Sequence, residues 1–223
     1  MKIQNVIVLI LLWNGYFAFH SLLASLVVKQ WMAQNLPEFA PFYRISFNIM
    51  ATLLLIIPVG FMILNAGDLV WVWPSHLKWL ANTLTITAGI FLLWTFRYYD
   101  MREFLGIKQS QERQHDIYDQ ETFKLSPMHR YIRHPWYFLS LVVIWSRDMD
   151  YMYLTAAITV SVYLFLGSKL EEKKLLIYHG DIYRRYCEKV PGVIPRPWRY
   201  LTKEQALQLQ SSYPVRRVGK DSG

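Results

Sequence analysis

Tyr131-Ile132-Arg133-His134-Pro135-Trp136-Tyr137 sets a guanidinium, an imidazole and two phenols at the entrance to an apolar run. Pro135 suits the first turn of a helix, where its missing N–H would have had no partner anyway. The run it opens, residues 136–145, is ten residues long. At the helical rise that covers about 15 Å, half of a hydrocarbon core of roughly 30 Å. Arg147-Asp148-Met149-Asp150 follows, then a twenty-residue span over 151–170. Either Arg133 and His134 are drawn below the interface, or the two segments form a hairpin whose tip stops short of the far face. Both options put ionisable groups in or beside lipid, where they are costly unless functional. Glu171-Glu172, at the far end of the second segment, is the expected acidic partner.

Upstream, three further spans are expected over residues 3–28, 45–64 and 77–98. Twenty-six residues of helix reach roughly 39 Å, enough to cross with tilt. The first span reads as an anchor helix rather than a cleaved signal, because its apolar run is long and no small-residue cleavage site is evident. His20, Ser21 and Ser25 lie in its last third. Residues 29–43 read as a loop with Pro37 and Pro41, and Pro58 as a kink in the second span. Trp71 and Trp73 suit an interfacial belt. Residues 101–130 are polar, with Phe104-Leu105-Gly106-Ile107 touching the membrane surface.

Downstream, Leu175, Tyr178, Ile182, Tyr186 and Val190 recur at helical spacing opposite Lys173, Lys174, Arg184, Arg185 and Lys189. That pattern predicts an amphipathic surface helix over 169–190, open to a break at Gly180. Residues 202–223 are expected to form a short helix and then a disordered tail. The fold class is therefore all-α: a polytopic membrane bundle of about five transmembrane helices, the last two allowed as a short hairpin, plus a C-terminal amphipathic cytosolic helix. Residues 1–201 form one domain and 202–223 a polar tail. No internal repeat is visible, which argues against a transporter.

Composition agrees. Of 223 residues 53% are hydrophobic, and the formal charge is +8; mean hydropathy is +0.14. A basic excess on such a chain is first a topology signal. Loop 29–44, loop 97–133 and everything from residue 169 onward hold 21 of the 24 Lys and Arg. The positive-inside rule places these in the cytoplasm, with the N-terminus outside and the C-terminus inside. His20, Arg133-His134 and Glu171-Glu172 then fall at similar depth. The single cysteine, Cys187, excludes a disulfide framework and a cysteine metal cluster, and the six histidines are too scattered for a di-iron site. No metal and no nucleic acid are expected.

Arginine, histidine, two carboxylates and several phenols at a membrane boundary suit S-adenosylmethionine. Arg133 would take the donor's carboxylate through two parallel hydrogen bonds. Glu171 or Glu172 would meet its ammonium or ribose hydroxyls. Electron-rich rings at Tyr131, Tyr137, Tyr183 or Tyr186 would face the sulfonium. With no G-x-G-x-x-G in the chain, such binding needs an all-helical scaffold rather than a strand–turn–helix.

Tyr131–Tyr137, Leu170-Glu171-Glu172, His179-Gly180-Asp181-Ile182-Tyr183-Arg184-Arg185-Tyr186 and Val190-Pro191-Gly192-Val193-Ile194-Pro195 together resemble the isoprenylcysteine carboxyl methyltransferase and phospholipid methyltransferase superfamily. The likeness covers about residues 125–197. Phe19-His20-Ser21-Leu22-Leu23-Ala24-Ser25, Phe104-Leu105-Gly106-Ile107-Lys108-Gln109 and Trp145-Ser146-Arg147-Asp148-Met149 look like the methanethiol S-methyltransferase branch and the related NnrU-type proteins. One departure is Leu125-Ser126-Pro127-Met128-His129-Arg130, where that superfamily usually carries Gly-Pro. The resemblance implies a five-helix bundle, cytosolic entry of the donor and lateral entry of an apolar acceptor.

Arg133 and His134 are the candidate catalytic residues. Tyr131, Arg133, His134, Pro135, Tyr137, Glu171, Glu172, Tyr183 and Tyr186 are the candidate cofactor contacts. Against them stand a positive-inside anchor for Arg133-His134, a solvated helix end for the glutamates and an apolar helix face for Tyr183 and Tyr186. His20 and Arg97 are candidate acceptor contacts, against a packing hydrogen bond and an interface anchor. Two classes of function follow. One is S-adenosylmethionine-dependent methyl transfer to a small thiol, or to a prenyl-cysteine or phospholipid. The other is a non-catalytic NnrU-type accessory protein.

Overall fold

The computed structural model describes residues 3–113 and 123–212. The fold is all-α, and among the described residues four helices are long and apolar enough to cross a membrane: Ile3–Ala24, Pro37–Leu64, Ser75–Tyr98 and Tyr151–His179. Pro135–Trp145 is a shorter apolar helix. By compactness the chain divides into two units, Met1–Gln120 with Leu139–Gly167, and Glu121–Phe138 with Ser168–Gly223.

In the first unit, α1 (Ile3–Ala24) stops earlier than expected. Ser25 leaves helical geometry and N-caps α2 (Leu26–Asn35), accepting from the Val28 amide at 3.3 Å and donating to the Leu22 carbonyl at 2.6 Å. Tyr43 Oη donates to the Leu23 carbonyl at 2.5 Å. Carbonyls left over at the end of α1 thus find side-chain donors, which apolar surroundings demand. The expected loop over 29–43 is mostly helical: α2 and then a 3₁₀ segment, Pro37–Phe42, that starts at a proline.

α3 (Tyr43–Leu64) carries Pro58 inside it. The strand β1 (Leu69–Trp71) follows, then α4 (Lys78–Thr95), which 3₁₀ turns extend at both ends. α5 (Met101–Leu105) and α6 (Ile107–Gln111) meet at Gly106, φ +85°. A Cβ on Gly106 would lie 2.6 Å from the Ile45 backbone nitrogen. Only glycine supplies both the left-handed turn and that close approach.

α7 (Pro135–Trp145) begins at the proline, as its position suggested. β2 (Met149–Asp150) pairs antiparallel with β1, a two-stranded ribbon the sequence reading did not foresee. Asp148 accepts from the Trp73 amide at 2.8 Å and pairs with Lys78 at 2.9 Å. Asp150 accepts from the Gly67 amide at 3.1 Å and from the Tyr153 amide at 2.7 Å. The Arg147–Asp150 stretch therefore pins the 67–78 connection. α8 (Tyr151–His179) follows and is 29 residues long. The core of this unit joins Leu9, Trp13 and Phe17 to Met152 and Ala156, and Phe17 stacks on Tyr163 at 3.8 Å. Ile7, Leu11, Leu53, Ile56, Ile86 and Ile90 are exposed on the spans, as lipid-facing positions should be.

In the second unit, α8 runs on past residue 170 to His179. Gly180, φ +57°, separates it from α9 (Asp181–Lys189). The predicted amphipathic helix is thus the last turns of α8 plus α9. α10 (Lys203–Ser211) carries a capping box between Thr202 and Gln205. The expected disorder over 213–223 falls outside the described residues. Phe123, Ile182, Tyr183, Tyr186, Val190, Leu201 and Ala206 form the core.

Candidate functional site

The second unit brings together the polar residues around Arg133 and Glu172, 39 positions apart. The Arg133 amide donates to the carbonyls of Pro191 (2.9 Å) and Gly192 (3.1 Å), and the His134 amide to Gly192 (3.2 Å). These bonds hold the 190–192 loop against the entrance to α7. Gly192 has no side chain to intrude: a Cβ there would sit 3.4 Å from both Arg133 Nη2 and Glu172 Oε1.

Arg133 gives Nε (3.0 Å) and Nη2 (2.6 Å) to the same oxygen, Glu172 Oε1. Its Nη1 donates to the carbonyls of Cys187 (3.0 Å) and Val190 (2.5 Å). Four of its five N–H groups are thus committed inside the protein. The arrangement differs from the expected two-pronged grip on a ligand carboxylate. Burial opposes the charge on Arg133, but the hydrogen bond with Glu172 and the surrounding acidic groups together raise the pKa above the ordinary value.

His134 is buried. Its Nε2 lies 3.2 Å from Glu172 Oε1 and its Nδ1 3.4 Å from Glu171 Oε2. Burial lowers its pKa, yet the hydrogen bonds to Glu171 and Glu172 more than offset this and leave it raised. Tyr137 donates to Glu171 Oε2 at 2.9 Å and stacks on His134, with centroids 5.2 Å apart. Lys169 reaches Glu172 Oε2 at 3.2 Å from one turn back on α8. Glu172 is therefore enclosed, at 12% exposure, while Glu171 keeps 43% of its side chain open. One carboxylate serves the protein and the other is presented outward.

Of the other expected positions, Tyr183 lies near enough to Arg133 and Glu172 to feel their charge. Tyr183 and Tyr186 are buried core residues. Tyr186 donates to the His129 carbonyl at 2.7 Å, and burial raises the pKa of Tyr183. Neither ring faces outward, which is the apolar-face alternative. Tyr131 is exposed and stacks on Tyr200 at 5.8 Å. Pro135 is buried at the first turn of α7. The stretch lacking Gly-Pro makes its turn differently: Ser126 and Pro127 start a 3₁₀ segment, and Ser126 Oγ meets His129 Nδ1 at 2.7 Å.

His20 and Arg97 belong to the first unit. His20 Nδ1 lies 3.0 Å from Tyr163 Oη, which also meets Ser21 Oγ at 3.1 Å. Phe47 packs near its ring at 5.1 Å. Arg97 is exposed in a 3₁₀ turn. Lys169, Gly192 and the carbonyls of Cys187 and Val190, which surround Arg133 and Glu172, were not anticipated. Lys169 alone had a usable signal, its i, i+3 spacing to Glu172.

A methanethiol S-methyltransferase from Crocosphaera subtropica is 27% identical to this chain over 189 residues, covering 81% of this chain and 71% of that protein. One from Pseudomonas deceptionensis is 29% identical over 181 residues, 79% and 67%. One from Mycobacterium tuberculosis is 24% identical over 207 residues, 88% and 81%. The chain is similar to several methanethiol S-methyltransferases over most of its length. No family model matches it, and no solved structure does. The likeness to these methyltransferases runs along most of the chain, and the apolar helices make it a multi-pass membrane protein.

Proposed function

We propose that this chain transfers a methyl group from S-adenosylmethionine to a small thiol such as methanethiol, on the cytosolic side of the membrane, with residues 1–201 as the catalytic domain. The observation that carries the reading is the half-open Glu171 carboxylate, held at Oε2 by Tyr137 and His134. The names of the relatives support the same chemistry.

The residues fit this donor. Glu171 accepts hydrogen bonds from an ammonium or from ribose hydroxyls. The fifth N–H of Arg133 and the ammonium of Lys169 offer cationic contacts to a carboxylate, and the missing Cβ of Gly192 keeps the approach clear. When bound, the donor supplies an electrophilic methyl on a positively charged sulfur. The protein's part is binding and orientation, which can account for much of such a reaction's acceleration. His134, whose protonated form the two glutamates favour, sets Tyr137 and Glu171 in place. His20 and Arg97 are proposed as acceptor contacts. A thiol is the nucleophile as its thiolate, and a histidine or arginine nearby favours that form.

The test is binding of S-adenosylhomocysteine by the detergent-solubilised protein, followed by headspace detection of dimethyl sulfide after methanethiol feeding. Binding is expected, with Glu171→Gln weakening it tenfold or more. Absence of binding at millimolar ligand would overturn the reading in favour of an accessory protein. Binding without dimethyl sulfide would redirect it to a prenyl-cysteine or phospholipid acceptor.

A further inference from the structure

Between the polar cluster and α10 the chain reads Ile194-Pro195-Arg196-Pro197-Trp198-Arg199-Tyr200. Both ends of this loop are clamped. On one side, Val190 and Val193 are buried and the Pro191 and Gly192 carbonyls accept from Arg133 and His134. On the other side, Leu201 is 1% exposed. Its amide donates to the Arg130 carbonyl at 2.9 Å, and its own carbonyl accepts from Arg130 Nε at 3.0 Å.

The tip between these clamps does the opposite of what an apolar sequence should do in water. The Arg199 amide donates to the Arg196 carbonyl at 2.9 Å, closing a turn. Pro197 takes the second place of that turn, where its fixed φ is favoured, and Trp198 takes the third. Trp198 is 76% exposed and Ile194 59%. Tyr200 stacks on the equally exposed Tyr131, and the Arg130 guanidinium lies 5.4 Å from the Tyr131 ring centre. A rigid turn that displays an indole outward, in a protein that lives in lipid, has the composition of an interfacial anchor.

The charge pattern selects the surface. From Lys189 to Lys203 there are four cations and no carboxylate. Arg199 is bonded inward, to the carbonyls of Cys187 and Glu188. Arg196 is exposed beside Trp198, where its aliphatic stem can lie along lipid while its head meets phosphate.

We propose that the 194–200 loop is a membrane anchor, seating Trp198 in the headgroup region of an anionic leaflet with Arg196 on lipid phosphate. This stands on the membrane setting of the chain and does not depend on methyl transfer.

The test is spin-label depth measurement on the full chain in nanodiscs. A Cys187→Ser background receives Trp198→Cys, and Lys203→Cys in a parallel sample serves as the control at the start of α10. In bilayers containing phosphatidylglycerol, the label at 198 should collide with oxygen several-fold more, and with a water-soluble nickel complex several-fold less, than the label at 203. In pure phosphatidylcholine, and after Arg196→Glu, the label should sit shallower. Equal nickel access at 198 and 203 would overturn the anchor. Shielding at 198 that ignores both lipid charge and Arg196→Glu would overturn the anionic preference. Where Trp198→Cys does not fold, Arg196→Cys in phosphatidylglycerol and in phosphatidylcholine reads depth at the same turn by the same criteria.

Discussion

Arg133 is the residue whose loss the second unit should feel most. Truncation would take the guanidinium from the enclosed Glu172 carboxylate, leaving it only His134 and Lys169, and would remove a donor from the Val190 carbonyl. Breaking one side of a buried ion pair costs about 3–5 kcal/mol, so Arg133→Ala should sharply lower the thermal midpoint in detergent. Arg133→Lys should fall between that variant and the parent, because an ammonium restores charge without the planar fork. Two histidines give the unit opposite responses to pH. The raised pKa of His134 means its contribution is complete below the ordinary imidazole value and is lost as pH rises through the raised one. His129 runs the other way: burial first, then the charge of His134, lowers its pKa from 6.5 to about 4. In that window the unfolded chain binds a proton that the folded chain does not, costing at most about 3 kcal/mol by pH 4. Thermal midpoints should therefore decline on both sides of about pH 6.5. His134→Gln should flatten the alkaline limb and His129→Asn the acid limb. At this scale the sequence paired Arg133 and His134 with Glu171 and Glu172 but did not show how their bonds are shared. The carbonyls of Cys187 and Val190 that take up Arg133 belong to a backbone every residue has, so no side-chain pattern announces them.

Elements were legible where apolar length decides and less so where a helix ends. α3, α4 and α7 begin and end close to their hydropathic limits. α8 was expected to stop as a span at residue 170, but charge does not end a helix, and none of its residues leaves helical geometry before Gly180. The 29–43 segment read as a loop because of its prolines, yet Pro37 only starts a 3₁₀ turn and α2 precedes it. The β1–β2 ribbon is too short to leave a period in the sequence. Its staple is testable: Asp148→Asn should speed hydrogen exchange at the Trp73 amide while amides deep in α8 stay protected. Gly106 offers a sharper test, since alanine there meets both a left-handed φ and the Ile45 backbone. Gly106→Ala should cost roughly 2 kcal/mol or more, read as a lower thermal midpoint, whereas Gly67→Ala meets open space and should not.

For the whole molecule, hydropathy marked the four long apolar helices, and the positive-inside bias predicts an orientation. The orientation predicts that, in a Cys187→Ser background, Lys203→Cys reacts with an impermeant maleimide only in inside-out vesicles, and Asp68→Cys only in right-side-out ones. Reaction of both from the same face would reverse or break the topology. The break at Ser25 matters at this scale too. α1 has 22 residues, about 33 Å, close to the apolar thickness of an ordinary bilayer. Without the interruption, residues 3–35 would form one rod of about 50 Å, which would have to lean steeply or protrude. A single hydroxyl thus acts as a gauge: it cuts the first segment to membrane width and frees the remainder to turn aside.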